Sequence, residues 1–141
     1  MRKISFILLI ILFVACHNKT SSTTSMSSDK ALENTRWKLI TLNKLTDSIH
    51  TLPKIPFMQL DSGKVKGFGG CNNYFGSYNT ENKSIHFSGI ASTKMFCLHG
   101  TDIEDALFKA LSGADHYQIS NDRLELLNGT EVLAGFEVSA E

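Results

Sequence analysis

Apolar and polar residues alternate along most of the chain after residue 35, with the two-residue period that is typical of half-buried β-strands. β-Branched and aromatic side chains are frequent in these runs, and Gly, Asn or Asp residues separate them. The pattern predicts strands at residues 36–42, 57–60, 64–68, 83–87, 115–120, 123–127 and 131–138. In the last three strands we expect these side chains to face the core: Tyr117, Ile119, Leu124, Leu126, Val132, Ala134, Phe136 and Val138.

Residues 101–113 have the period of an amphipathic helix instead. The spacing of Thr101 and Glu104 predicts a capping box, in which the hydroxyl and the carboxylate satisfy free backbone N–H groups. The apolar residues that follow fall on one helical face, and Gly113 is placed to end the helix. The order of strands, one helix and strands favours an antiparallel sheet with the helix packed over one face or one open end.

The chain begins with a pattern that is typical of a bacterial secretion signal. Two basic residues precede an apolar run at residues 4–14, which is too short to span a bilayer because a helical span needs about 20 apolar residues. Residues 12–16 resemble a bacterial lipobox. We therefore expect residues 1–15 to be a lipoprotein signal peptide and Cys16 to carry a lipid that anchors the chain to the membrane. An ordinary cleaved signal with an incidental cysteine is the alternative.

A polar segment and one domain follow the predicted anchor. Residues 16–33 are rich in Ser, Thr, Asn and Lys, which predicts a flexible tether with a reach of about 20 to 25 Å. His17 follows Cys16, where an aspartate would signal retention in the inner membrane, so we expect the periplasmic side of the outer membrane. Residues 34–141 suffice for one domain with a modest core.

The charge balance argues against one class of partner. The chain has 14 basic and 14 acidic residues, and two of the basic ones lie in the predicted signal peptide. Without a basic surplus we do not expect binding to the phosphates of a nucleic acid. Residues 67–70 are rich in glycine but lack the lysine and helix start of a phosphate-binding loop. We therefore expect neither a nucleic-acid partner nor a cofactor.

Residues 67–78, Gly-Phe-Gly-Gly-Cys-Asn-Asn-Tyr-Phe-Gly-Ser-Tyr, concentrate a mixture that suits neither a long helix nor a plain strand. Together with residues 92–97, Ser-Thr-Lys-Met-Phe-Cys, they resemble the META domain of HslJ-like bacterial proteins, and the resemblance extends over residues 34–138. It implies a small α+β domain, with a strongly curved antiparallel sheet or incompletely closed β-barrel and one packed helix. It also implies a place in the bacterial cell envelope and supplies no catalytic residues.

Two cysteines lie in the predicted domain, Cys71 and Cys97, and in an oxidising periplasm we expect them to form a disulfide. Two buried free thiols are the alternative. A free Cys97 near His99 would suggest a thiol nucleophile or part of a metal site, but a disulfide would consume the thiol that both require. We therefore expect no catalytic residue and no metal site.

The central stretch also supplies a candidate binding surface, formed by Asn72, Asn73, Tyr74 and Tyr78. Exposed amides and aromatic rings next to glycines would suit a ligand. The alternative is structural, because Asn side chains also hold turns and aromatic rings also pack in cores.

These features favour a monomeric, non-enzymatic, lipid-anchored envelope lipoprotein that serves as a binding or protective module under stress. Its partner would be an unknown protein or an apolar ligand. A second hypothesis is that a curved-sheet cavity binds an apolar ligand or lipid tail, as in small outer-membrane pilot lipoproteins. A cavity lined by Trp37, Phe57, Phe87 and Leu107 would favour that hypothesis. A thiol enzyme is the third.

Overall fold

The computed structural model describes residues 31–139, and within this range the chain forms eight strands, two α-helices and a 3₁₀ turn. The strands are β1 (Arg36–Thr41), β2 (Phe57–Asp61), β3 (Lys64–Phe68), β4 (Asn73–Glu81), β5 (Ser84–Ser92), β6 (His116–Ser120), β7 (Arg123–Asn128) and β8 (Glu131–Val138). The helices are α1 (Thr46–Ile49) and α2 (Thr101–Gly113), and the 3₁₀ turn spans Asn43–Leu45. The predicted signal peptide, Cys16 and nearly all of the predicted tether lie outside the described residues.

The strands form one antiparallel sheet in which neighbours follow the order of the chain, and β8 pairs with β1 to close a ring. Alternate apolar side chains of each strand point inward, as Trp37 and Leu39 do in β1. A sheet that buries one face must cover it, and here the sheet curves strongly and α2 supplies the rest of the cover. The predicted fold class is confirmed: α+β, with a strongly curved antiparallel sheet and a packed helix.

Short turns connect the early strands. Ser62 and Gly63 join β2 to β3 with φ angles of 47° and 76°, and Asn82 and Lys83 join β4 to β5 with φ angles of 49° and 69°. Two successive residues with positive φ give the two-residue hairpin turn whose twist matches that of the flanking strands. The hairpin predicted around residues 61–63 is therefore confirmed.

The pairing between neighbouring strands of the ring is shortest between β5 and β6. In the described chain these strands share one register pair, Ser84 with His116, next to a hydrogen bond that Ile85 N donates to Asp115 O at 3.0 Å. Beyond this pair β5 runs beside α2 instead of β6. The incomplete closure implied by the family resemblance corresponds to this junction.

The apolar face of α2 packs into the ring as predicted. Ile103, Leu107 and Leu111 are fully buried there, in one core cluster with Trp37 and Phe136. Leu32, a residue of the predicted tether, also packs against this core, and its carbonyl oxygen accepts a hydrogen bond from Trp37 Nε1 at 2.9 Å. Contacts of the folded domain therefore begin before residue 34.

The interior is filled by side chains rather than hollow. Trp37 and Leu107 are fully buried in the core, and Phe57 and Phe87 are half-buried. Within residues 31–139, none of these four side chains lines one of the larger clefts. The packing thus does not favour a ligand cavity at these residues.

Three segments differ from the sequence-based prediction. One is β5, which continues to Ser92 although the predicted strand covers residues 83–87. The segment between β1 and β2, where the sequence pattern predicts neither a helix nor a strand, contains the 3₁₀ turn and α1, which buries Ile49. The central stretch was not expected to be a plain strand, yet most of it forms the nine-residue β4. Gly76 in that strand allows the close approach of Ile90, because a Cβ atom at position 76 would lie 2.7 Å from Ile90 Cδ1.

One expected core residue faces outward. Val132 is 41% exposed although the alternation in β8 predicted it to be buried. The register of β7 with β8 shifts between Leu126 and Leu127, and both of these leucines are buried. Since a one-residue shift moves side chains to the opposite face of a sheet, the bulge exposes Val132.

No helix in the described range has the length and apolar character needed to cross a membrane.

Candidate functional site

A tight turn between β3 and β4 is the base of the candidate site. Gly69 N donates a hydrogen bond to Asn72 O at 2.8 Å, and Gly70 has a φ of 128°, a conformation that favours glycine. A Cβ atom on Gly69 would lie 2.8 Å from the Glu104 side chain. The glycines therefore let this turn approach the start of α2.

Glu104 binds the turn from the first turn of α2. Its Oε2 accepts hydrogen bonds from Asn72 N at 2.5 Å and from Cys71 N at 3.3 Å, and its Oε1 accepts one from Asn72 Nδ2 at 2.9 Å. The residue is buried. Bonds to an ionised carboxylate are roughly twice as strong as neutral ones, and a carboxylate near a helix N-terminus also complements the helix dipole.

The predicted capping box is therefore wrong. The residue preceding α2 is Gly100, with a φ of 90°, and no side chain caps the helix. Thr101 is instead the first helical residue, and the Glu104 carboxylate is used by residues 32 and 33 positions away in the sequence. The N–H groups of Cys71 and Asn72 thus take the place of the local N–H group that a capping box would offer to Glu104.

The side chain of Asn72 extends this network to the segment after β5. Its Oδ1 accepts hydrogen bonds from Met95 N at 2.7 Å and from Thr93 Oγ1 at 2.9 Å, while its Nδ2 donates to Glu104. Thr93 N in addition donates to Asn73 O at 3.0 Å. One buried amide thus joins the helix, the turn and the segment after β5.

The disulfide predicted between Cys71 and Cys97 is present, with a Cα–Cα distance of 5.8 Å. Because Cys71 is the neighbour of Asn72, the same turn holds the later segment at Met95 by a hydrogen bond and at Cys97 by a covalent bond. With its sulfur in the disulfide, Cys97 is not the free thiol beside His99 that a thiol nucleophile at this position would require.

The restrained segment presents large apolar side chains to solvent. Met95 is 65% exposed, Phe96 91% and Leu98 84%. We call residues 93–99 the apolar loop. A cleft of about 530 Å³ separates it from Phe108 and Asp105 of α2, and another of about 460 Å³ lies between Leu98 and the region of α1.

The four residues of the predicted binding surface do not share a surface. Asn73 is exposed, but Asn72, Tyr74 and Tyr78 are buried. Asn72 holds the apolar loop, and the Tyr74 ring packs edge-on against Phe108 with ring centroids 5.3 Å apart. The structural alternative therefore accounts for these three residues, and the exposed apolar side chains lie on the neighbouring loop instead.

Sequence reasoning missed the apolar loop as a surface. The signal was the sequence Met-Phe-Cys-Leu, in which apolar residues flank a cysteine without either a two-residue or a helical period. Glu104 was missed for a different reason, since its spacing fits a local cap. In the described range no group of three or more His, Cys, Asp or Glu side chains is arranged to hold a metal ion.

The buried tyrosines have perturbed ionisation. Burial raises the pKa of Tyr78 to about 12, and the hydrogen bond that its hydroxyl donates to Glu33 Oε1 raises that pKa as well. Burial also raises the pKa of Tyr74 well above its ordinary value. Ionisation of either side chain therefore destabilises the folded domain.

We expect the free energy of unfolding to fall as the pH rises from about 10 to about 12. The unfolded chain releases the Tyr78 proton near the ordinary pKa of 10.0, whereas the folded chain retains it to about 12. The stabilisation is complete below the first value and is lost as the pH rises through the second. Urea unfolding at a series of pH values measures this decline, and Tyr78→Phe should make it shallower. An equally steep decline in that variant would contradict the assignment.

Comparisons with known proteins agree with this fold. The family model described as META domain matches residues 30–140. An NMR structure of a protein from Burkholderia xenovorans is 22% identical, with a TM-score of 0.62 over 78% of this chain and 85% of that chain. A second NMR structure is 16% identical, with a TM-score of 0.59 over 75% of this chain and 90% of the other. No curated protein matches the sequence. At these identities the structural likeness shows the fold alone.

Proposed function

Since the chain belongs to the META domain family, we propose that it is a non-enzymatic, lipid-anchored module of the bacterial envelope that binds exposed apolar segments of other proteins under stress. The observation that carries this proposal is the exposure of Phe96 and Leu98 on a loop that the fold holds in place.

The apolar loop has the properties of a binding surface. A contiguous group of exposed apolar side chains on a folded domain is typical of an interaction site. Met95 adds a flexible, polarisable side chain that adapts to different partners. Because the disulfide and the Asn72 hydrogen bond already order the loop, binding costs less conformational entropy than it would in a free segment.

The proposed location in the cell envelope is based on the sequence, and the Cys71–Cys97 disulfide is consistent with it. Cys16 follows a secretion signal that resembles a lipobox. A disulfide such as Cys71–Cys97 is typical of an oxidising compartment and rare in the cytosol. Membrane attachment through Cys16 and the periplasmic side of the outer membrane therefore remain our proposal. The mass of the isolated chain tests the attachment, because acylation adds the mass of the acyl chains at Cys16 and the Cys16→Ala chain cannot gain that mass.

Binding to an unfolded polypeptide tests the function itself. The full chain in phosphatidylcholine nanodiscs is mixed with a fluorescently labelled protein that is kept unfolded by reduction and carboxymethylation, and anisotropy reports binding. We expect the Phe96→Ser, Leu98→Ser double variant to bind about 10-fold more weakly or worse, as is usual when central apolar contacts are removed. The matched control is Val132→Ser, which removes an exposed apolar side chain from β8.

Circular dichroism should show the same fold in all of these variants, since the substituted side chains are exposed. Equal binding by the double variant, or no binding by the parent chain, would refute the proposed role of the loop.

A further inference from the structure

We propose that the outer face of β1–β4 binds an anionic lipid surface. We call this surface the basic face, and define it by Arg36, Lys54, Lys64, Lys66 and Phe75. It is distinct from the apolar loop and goes beyond the proposed binding of polypeptides.

Strand register places these side chains together. Arg36 pairs with Gln59, Gln59 with Lys66, and Lys66 with Phe75, so the four form one row across β1–β4. Neighbouring strands lie about 4.8 Å apart, so the row extends over some three such spacings. All four side chains point away from the buried side of the sheet.

The adjacent rows add further cations. Lys64 lies opposite Asp61 and Ser77, and Lys64 Nζ donates a hydrogen bond to Ser77 Oγ at 3.2 Å. On the other side, Lys54 Nζ lies 4.1 Å from the centroid of the Phe68 ring. The Arg36 guanidinium lies 3.4 Å from the centroid of the Phe57 ring.

Arg36 and Lys54 are held by aromatic rings and Lys64 by a hydroxyl, and none of these contacts neutralises the cation. An aromatic ring holds a cation in place but leaves its net charge unchanged. Lys38, in the row of Phe57 and Phe68, is neutralised by Glu137 of β8, with 2.7 Å between Nζ and Oε1, but among the described residues Lys64 and Lys66 form no ion pair. Asp61 is the one acidic side chain in the three rows. The basic face therefore keeps a positive charge.

Phe75 adds an exposed apolar side chain next to Lys66, at the β4 end of the row. It is 59% exposed and lies between Lys66 of β3 and Ala91 of β5. Phe residues among Lys and Arg are typical of surfaces that lie in the headgroup region, where the ring enters the acyl boundary and the cations contact lipid phosphates.

Residues 101–139, which we call the acidic half, have the opposite charge. Residues 101–139 include two basic side chains, Lys109 and Arg123, and eight acidic ones. In the ring, β6 and β7 are separated from β2 and β3 by at least two strands on either side, so a planar anionic surface can contact the basic face without contacting the acidic side chains of β6 and β7. A flexible polyanion in solution would contact the acidic half as well as the basic face and would be repelled by the acidic half. The charge distribution therefore favours a lipid surface.

Quenching by brominated lipids tests this orientation. The full chain is incorporated into nanodiscs of brominated phosphatidylcholine, with or without phosphatidylglycerol, and tryptophan is introduced as Phe75→Trp. Trp37 is fully buried and provides a constant background. The matched control is Val132→Trp, on β8 of the acidic half.

We expect the Phe75→Trp signal to be quenched about twofold more than that of Val132→Trp when phosphatidylglycerol is present. The difference should shrink without the anionic lipid, at high salt, and in a Lys64→Glu, Lys66→Glu background. A Lys83→Glu, Lys109→Glu background should retain it. A third variant, Phe96→Trp, reports contact of the apolar loop with the lipid. Equal quenching at positions 75 and 132, no quenching at position 75, or quenching at position 96 alone would overturn the proposal.

The two proposals fail separately. Retention of the chain on the nanodisc during gel filtration reports the anchor, and binding of the unfolded polypeptide reports the apolar loop. A chain that passes both tests but shows no quenching at position 75 loses only the basic face as a lipid contact.

Discussion

Replacing Glu104 with alanine should lower the free energy of unfolding by about 3 to 5 kcal/mol, because three buried donors lose a charged acceptor. Two of these donors are backbone N–H groups in the turn before β4, and the third is Asn72 Nδ2. The loss should also release the apolar loop, since Asn72 would no longer be held from the side of the helix.

Urea unfolding of Glu104→Ala measures this effect, and Asp105→Ala is the matched control. Asp105 is in the same helical turn but exposed, so its removal should cost less than about 1 kcal/mol through the helix dipole. Glu104→Gln should fall between the two, since its amide retains one acceptor but directs an NH₂ group toward the other donors. Equal stability of Glu104→Ala and Asp105→Ala would contradict the role of the network.

Removing the disulfide should be the other large change, with a loss of about 3 to 4 kcal/mol for the Cys71→Ser, Cys97→Ser double variant. The bond closes a loop between residues 26 positions apart, and it therefore restricts the unfolded chain strongly. The midpoint and slope of urea unfolding measure the loss.

Reduction of the parent chain is the matched control, because it breaks the bond without changing the sequence. We expect the reduced chain to remain folded at neutral pH, since the hydrogen bonds of Asn72 to Thr93 and Met95 still hold the loop. A reduced chain as stable as the oxidised one would show that the bond does not stabilise the domain.

Regular elements were predicted well because their causes are local. Alternating side chains in β1, β2 and β7 and the spacing of Ile103, Leu107 and Leu111 in α2 each determine one buried face. The positive φ angles at Ser62 and Gly63 follow in the same way from a short turn with glycine. Nothing outside these segments was needed to place them.

The site was predicted less well because its contacts join distant parts of the chain. Glu104 fits a local capping box, and only the fold brings Cys71 N and Asn72 N within its reach. The exposure of Phe96 has the same origin, since hydrogen bonds and a disulfide from another turn hold the loop away from the core. The periodicity of apolar residues reports which side of one segment is buried, and it does not reveal contacts between distant segments.

The pairing of β8 with β1 also makes the domain a candidate for circular permutation. Ser139 N donates a hydrogen bond to Arg36 O at 2.8 Å, so the two ends of the described domain leave from the same rim. A short linker between them, with new ends at the Asn82–Lys83 turn, would preserve every strand pair and place the new chain ends on that same rim, at the opposite side of the ring. The same adjacency means that a reporter fused after residue 139 would emerge beside the start of β1, whereas one inserted at that turn would be held apart from it.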